Sequence, residues 1–482
     1  MDKNPLNQNK NQAAPSASNP SDAPNAGTPH KIVRPRIDPR KLKGFRDYLP
    51  APMRIRQLVL AEIRTVARRA AFQEIATPAL EYEETLLGQG GEETDKQVYR
   101  FEDHGGRRVA LRFDLTIPFA RFVAEHQGEL VFPFKKLQIG DVWRGENTQK
   151  GRYREFGQCD FDIIGVDSVA ADVEVMLALA TVLSRVPCGG VTMQINHRGL
   201  LSGILAAAYG SEITAADETK ALIAIDKLAK AGEGEVVRLL AAIPAHGRSS
   251  EEAASFVLKA ISAKGADGNA DLTRLRDLVN MDNPAALAAL EPHLLRVTTI
   301  LELLKRAAPP VGITFKLDLS IARGLGYYTG VVFETTLDRL PGFGSVSSGG
   351  RYNDLASRFS NRELPGVGGS VGLDRLVAGI EELGLADTSA VGGVMVAVAS
   401  QDALPYAFDV VSLLRNAGVH ADIGVTEGKV ANQFKYASRL GYAHTVTVGG
   451  SEMATRTANL KDMTSGEETR GMPIAEVIAR LS

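Results

Sequence analysis

The sequence predicts an α+β protein with a helical insertion and a C-terminal α/β unit, and three features of its 482 residues carry that reading. The first is Val142 to Gly165, which reads strand, loop, strand. From Phe156 to Ile164, Phe156, Gln158, Asp160, Asp162 and Ile164 fall on one side, and Gly157, Cys159, Phe161 and Ile163 on the other. One face is apolar core and the other carries polar groups. The second is Leu200 to Ala308, where the chain becomes a series of Ala- and Leu-rich helical segments separated by Gly, Asn and Pro. The third is the alternation of strands and helices after Gly392, which indicates a small α/β domain.

Composition narrows the class. A chain of 482 residues is too long for one core and should hold two or three domains. Apolar content of 44% and charged content of 23% are those of a globular protein. The net charge of -2 excludes a globally basic nucleic-acid coat, although a large RNA would still dock on local basic patches. Cys159 and Cys188 supply neither a disulfide framework nor a four-ligand zinc site, and a reducing cytoplasm is the expected compartment. No run of about 18 apolar residues would span a bilayer. The first 30 residues lack an apolar signal core and contain Asp2 and Asp22.

Residues 1–38 are rich in Asn, Pro, Ser, Ala and Gln and are expected to be disordered, because they bury too little surface to offset their ordering entropy. Order is expected from Pro39, with a turn over Lys43 to Pro50 and a helix from about Pro52 to Ala71. That helix carries Ile55, Leu58, Val59, Ile63 and Val66 at helical spacing and leads into a strand ending near Pro78. A hairpin follows, turning at His104 to Gly106. Its second strand, Arg108 to Pro118, would place Arg112, Asp114 and Thr116 on one side. A carboxylate beside a hydroxyl suits a free α-ammonium group.

The loop between the strands of the central hairpin packs Glu146, Lys150, Arg152 and Arg154 around glycines, with Arg144 closing the first strand. Such a loop suits polyphosphate: Arg presents a planar fork of donors, and Gly lets backbone and ligand come close. The polar strand that follows, with a Phe, a Gln and two Asp on one face, suits a pocket for a base and a small cationic ligand.

Arg144, the basic loop and Gly151-Arg-Tyr-Arg-Glu-Phe156 resemble motif 2 of class II aminoacyl-tRNA synthetases, in the form used by histidyl-tRNA synthetases. The helix, strand and proline ending at Pro78 resemble motif 1, which forms the homodimer interface in that family. Lys316 to Gly330, with Arg323, Tyr327 and Tyr328, resembles a signature specific to histidyl-tRNA synthetases, although Gly326 stands where the family has an acidic or amide residue. Pro365 to Arg375, leading into a helix through Leu383, resembles motif 3.

The resemblance implies an antiparallel class II sheet over residues 39–390, interrupted by the helical insertion, and an anticodon-binding α/β domain over 391–482. It implies L-histidine, ATP with Mg2+, and tRNA(His) as partners, and a homodimer. Asp114 and Thr116 would hold the histidine amine, Gln158 its amine or carboxylate, and Asp162 an imidazole N–H, with Tyr327 and Tyr328 lining the pocket. Arg144 and Arg323 would act on the α-phosphate, Phe156 and Arg375 on the adenine, and Arg375 also on the outer phosphates. Lys429, Lys435 and Arg439 would meet tRNA phosphates, the last two being four apart on one helix face. No ligand set for the metal is implied.

Two alternatives are weighed. Gly368-Gly-Ser370-Val-Gly372 has the form of a hydrolase nucleophile elbow, but the apolar strand required before its serine is replaced by Arg362-Glu-Leu-Pro-Gly366. The histidine-binding regulatory subunit of ATP phosphoribosyltransferase shares the fold. Such paralogues lack the C-terminal tRNA-binding domain and lose catalytic arginines, whereas this chain keeps Arg144, Arg323, Arg375 and the region after Gly392.

Overall fold

The computed structural model describes residues 37–88, 95–265, 268–307, 311–322, 327–386, 392–424 and 429–481. Nearly all of the expected tail, together with Arg323 and Gly326, lies outside the described residues.

The largest sheet has eight strands. Its strands are β1 (Gln73–Ile75), β5 (Phe134–Trp143), β6 (Glu155–Ile164), β7 (Val191–His197), β8 (Ile313–Leu317), β9 (Val331–Leu337), β10 (Ser345–Arg351) and β11 (Gly366–Gly372). They run in the order β1-β5-β6-β11-β10-β9-β7-β8. The pairs within β5-β6-β11-β10-β9-β7 are antiparallel, and the two outer pairs, β1·β5 and β7·β8, are parallel. A small sheet β2-β4-β3, of Leu80–Tyr82, Arg108–Leu111 and Arg100–Glu102, lies beside it in sequence.

The period-two pattern sorts the sheet into two faces. Leu137, Cys159, Phe161, Ile163, Val367, Val371 and Phe333 join one core with the helices Pro50–Arg69, Val169–Arg185 and Leu373–Leu383. Burying such side chains contributes about 1.5–3 kcal/mol each. On the other face, register sets Lys136 opposite Asp162, Gln138 opposite Asp160, and Ser370 on the far side of Asp160.

The six described helices between Arg198 and Arg306 build a second core that includes Leu201, Ile225, Leu240, Val257, Leu275 and Leu290. The two cores are pinned by a buried ion network. Arg351 on β10 reaches Asp172 at 2.7 Å, and Arg296, from the helix Pro284–Arg306, reaches the same carboxylate at 2.7 Å.

The C-terminal unit is a five-stranded sheet in the order β13-β12-β14-β15-β16, formed by Ala421–Ile423, Val394–Val398, His444–Val448, Thr457–Asp462 and Glu468–Pro473. The parallel β13-β12-β14 part follows the sequence pattern. The antiparallel β15–β16 hairpin was not read from sequence. Its turn is built by Asp462, whose Oδ1 accepts from the Thr464 and Ser465 amides, and by Gly466 at φ 77°.

One expectation is corrected. The strand from Arg108 was to run through Thr116, but β4 ends at Leu111 and Thr116 opens the helix Thr116–Glu125. Asp114 Oδ1 accepts the Ile117 amide at 3.2 Å, and Pro118 sits in the first turn, where no N–H is required. Among the described residues, no helix is long and apolar enough to cross a membrane.

Candidate active site

The polar face of β5, β6 and β11 is buried under side chains from the Thr116–Glu125 helix and from Tyr327, Tyr328 and Tyr352. Ordinary sheet faces of this polarity are solvated; here Lys136, Gln138, Asp160 and Asp162 are all buried. Tyr328 lies close against Gly350, where an added Cβ would stand 2.9 Å from its ring.

Asp162 receives the Tyr352 hydroxyl on Oδ1, and Lys136 Nζ stands 2.7 Å from Oδ2. The Lys136 ammonium and the Asp162 carboxylate thus form a buried ion pair. Gly368 makes room for Asp162, since a Cβ there would lie 1.7 Å from Oδ1.

Asp114 sits at the other end of the pocket. Its Oδ2 receives the Tyr327 hydroxyl at 3.4 Å, while burial pushes its carboxyl up to about 6 against the pull of Arg144 and Lys136. The Tyr327 hydroxyl also meets Thr116, so Thr116 joins the Asp114 group from its helical position. Gln158 donates from Nε2 to the Ser370 hydroxyl at 3.2 Å and leaves Oε1 without a partner.

Arg144 donates from Nε to the Phe113 carbonyl at 2.9 Å, which holds the guanidinium beside Asp114. Its other side lies 5.1 Å from the centre of the Phe156 ring, a cation-π contact. The expected placement of Phe156 under a base thus comes with Arg144 as its present neighbour. Arg375 donates to the carbonyls of Gly151 (3.4 Å) and Ser345 (3.1 Å), against the hairpin loop. In that loop Gly151, at φ 72°, turns the chain between Gln149 and Arg152. The loop cations have neighbours: Arg152 pairs with Glu146, Lys150 with Glu382, and Arg154 reaches the Glu146 and Lys43 carbonyls. Arg112 is spent on the backbone, donating to Asp141, Thr77 and Pro78 carbonyls.

The structure therefore brings Asp114, Thr116, Arg144, Gln158, Asp162, Tyr327 and Tyr328 around one polar face, with Phe156 stacked on Arg144. Lys429, Lys435 and Arg439 are exposed in the C-terminal unit, on or beside the helix Val430–Leu440. Sequence reasoning missed Lys136 and Tyr352, and placed Asp160 on the polar face without giving it a role. Asp160 was legible from the alternation that singled out Asp162, whereas Lys136 and Tyr352 arrive through strand register and chain return. Ser370 lies mid-strand in β11, paired on both sides, so it is not a nucleophile at a sharp turn.

An antiparallel sheet with motif-2 and motif-3 arginines beside a buried polar pocket, followed by an α/β unit, defines a class II aminoacyl-tRNA synthetase. The family profile described as histidyl-tRNA synthetase matches residues 44–376, and that of an anticodon binding domain matches 393–482. The histidine–tRNA ligase of Rhodopirellula baltica is 42% identical over 435 residues, covering 89% of this chain and 95% of its own. That of Treponema denticola is 42% identical over 409 residues, covering 84% and 87%. The crystal structure of histidyl-tRNA synthetase from Nostoc sp. superposes with a TM-score of 0.78 at 29% identity, covering 92% of this chain and all of that one. This chain belongs to the histidyl-tRNA synthetase family.

Proposed function

We propose that the chain is a histidine–tRNA ligase. A histidine carboxylate oxygen attacks the α-phosphorus of ATP, the bond to the β-phosphate breaks, and pyrophosphate leaves. The 3'-terminal ribose hydroxyl of tRNA(His) then attacks the histidyl carbonyl, and AMP leaves. No protein nucleophile takes part, so catalysis is positioning and electrostatics. The observation that carries this reading is the buried polar face, with carboxylates at both ends and Arg144 beside one of them.

In this reading Asp114 and Thr116 hold the α-ammonium group and Gln158 the amine or carboxylate. Asp162 accepts an imidazole N–H, and Tyr327 and Tyr328 wall the ring. Arg144 and Arg323 offset charge on the α-phosphate, Phe156 carries the adenine, and Arg375 faces the adenine and outer phosphates. Mg2+ would neutralise the leaving pyrophosphate. Among the described residues no group of three or more metal-ligating side chains stands together.

The C-terminal unit docks tRNA through Lys429, Lys435 and Arg439. A homodimer forms through the motif-1 segment, where Leu58 is 43% exposed, and the β2 strand just after it, where Leu80 and Tyr82 are 39% and 53% exposed. The regulatory-subunit reading is not favoured, since the arginines and the anticodon-binding domain are retained.

Charging of tRNA with radiolabelled histidine tests the proposal: the purified chain with ATP and Mg2+ should form acid-precipitable histidyl-tRNA, and failure with a folded enzyme overturns it. Arg323→Ala should keep the fold and abolish adenylate formation; near-normal turnover would remove Arg323 from the mechanism.

A further inference from the structure

We propose that Asn196 is a positioning residue for the activation step: by holding the carbonyls of Leu319 and Ile321 it fixes the chain that leads into Arg323. The inference rests on the histidine-activating function proposed above.

Three observations carry it. First, Asn196 is fully buried near the end of β7 and gives both its amide hydrogens to one stretch of chain. Its Nδ2 donates to the Leu319 carbonyl at 3.2 Å and to the Ile321 carbonyl at 2.7 Å. Its Oδ1 accepts the His197 amide at 2.7 Å, so two carbonyls and one N–H fix which way the side chain faces. Second, that stretch has no strand to hold it. β8 ends at Leu317 and β9 begins at Val331. Between them Asp318 turns the chain, its Oδ1 accepting the Ser320 amide at 3.0 Å and the Ser320 hydroxyl at 2.6 Å. Leu319 and Ile321 are buried, and buried backbone outside a strand needs partners from elsewhere. Asn196 supplies two of them, four and two residues before Arg323.

Third, the far end of the same segment is held by other groups. The Arg198 amide donates to the Gly330 carbonyl at 2.8 Å, and the Thr329 amide to the Arg351 carbonyl at 2.7 Å. The Tyr327 hydroxyl reaches Asp114, and Tyr328 lies against Gly350. Loss of the Asn196 side chain therefore releases the arginine end and leaves the tyrosine end in place.

β7 is a firm base for such an anchor, paired with β8 on one side and β9 on the other, with Asn196 itself opposite Val332. A guanidinium offsets charge on a phosphate only while it is aimed, and a misplacement of about 1 Å costs on the order of a hundredfold in rate. Histidine itself is held in this reading by Asp114, Thr116, Gln158, Asp162 and the two tyrosines. The step that suffers is chemistry, and histidine binding stays.

The test is histidine-dependent exchange of pyrophosphate into ATP by the full chain, comparing wild type with Asn196→Ala and Asn196→Asp. Asn196→Ala removes the amide. Asn196→Asp keeps its shape and the acceptor for the His197 amide, and puts a second acceptor where the donor was. Rates are expressed per histidine-binding site, counted by equilibrium dialysis with radiolabelled histidine, so that an unfolded fraction does not enter. Both variants should lose at least tenfold in kcat, with KM for histidine within threefold of wild type.

A kcat loss smaller than tenfold in either variant overturns the proposal. So does a histidine KM raised more than threefold in either, the pattern of a pocket that loosens as a whole. If one variant fails to fold, the other gives the readout; failure of both makes Asn196 a support of the core alone and overturns the proposal too. A wild-type chain inactive with histidine sinks the underlying reading and this proposal together, whereas an active wild type with unchanged variants sinks this proposal alone.

Discussion

Replacing Asp114 by Asn separates the stability role of this carboxyl from its binding role. Asp114 is 2% exposed, and burial raises it from 3.8 to about 6. At ~1.4 kcal/mol per tenfold change in proton affinity, keeping it ionised costs the folded state about 3 kcal/mol. The sign follows from the direction: below 3.8 the group is neutral folded or unfolded and there is no cost, which grows as pH rises to about 6 and is constant above. Asn carries no charge and its Oδ1 still accepts the Ile117 amide. The variant should therefore match wild type near about pH 4 and exceed it by about 3 kcal/mol at about pH 8. Urea denaturation of both proteins across that range, at one protein concentration, measures the gap. A gap that does not change with pH, or a variant less stable at the alkaline end, refutes the reasoning. The same substitution removes the counter-charge for the α-ammonium group and should lower kcat/KM for histidine by about ten- to a hundredfold, as loss of a charged hydrogen bond does.

Other substitutions probe the surrounding supports. Lys136→Met leaves Asp162 buried without its cation and should cost about 3–5 kcal/mol in denaturant titration at neutral pH. Gly368→Ala drives a Cβ into Asp162 Oδ1 and should cost about 1–3 kcal/mol and raise KM for histidine more than KM for ATP. The double charge reversal Lys435→Glu with Arg439→Glu should raise KM for tRNA at least tenfold in charging assays and leave pyrophosphate exchange unchanged.

The alternation in β6 made one apolar and one polar face legible, because a strand's period of two is local information. What lies across from each residue was not legible. Lys136 meets Asp162 only through the β5–β6 register, and Ser370 meets Asp160 after the chain has passed through the whole insertion. Tyr352 reaches Asp162 from 190 residues away. Thr116 was misassigned to a strand because the polar alternation of Arg112, Asp114 and Thr116 outweighed the signal that starts the helix, an Asp three residues before an amide it can cap. Arg144 was read as a phosphate ligand from its loop, but the Phe113 carbonyl that aims it and the Phe156 ring that supports it depend on tertiary packing.

Pyrophosphate exchange into ATP, run with each of the twenty amino acids in turn, asks most directly whether the buried polar face selects an imidazole. Exchange with histidine, and with no other amino acid above one-hundredth of its rate, is the predicted outcome. Exchange with a different amino acid, or with none by a folded chain, contradicts the account.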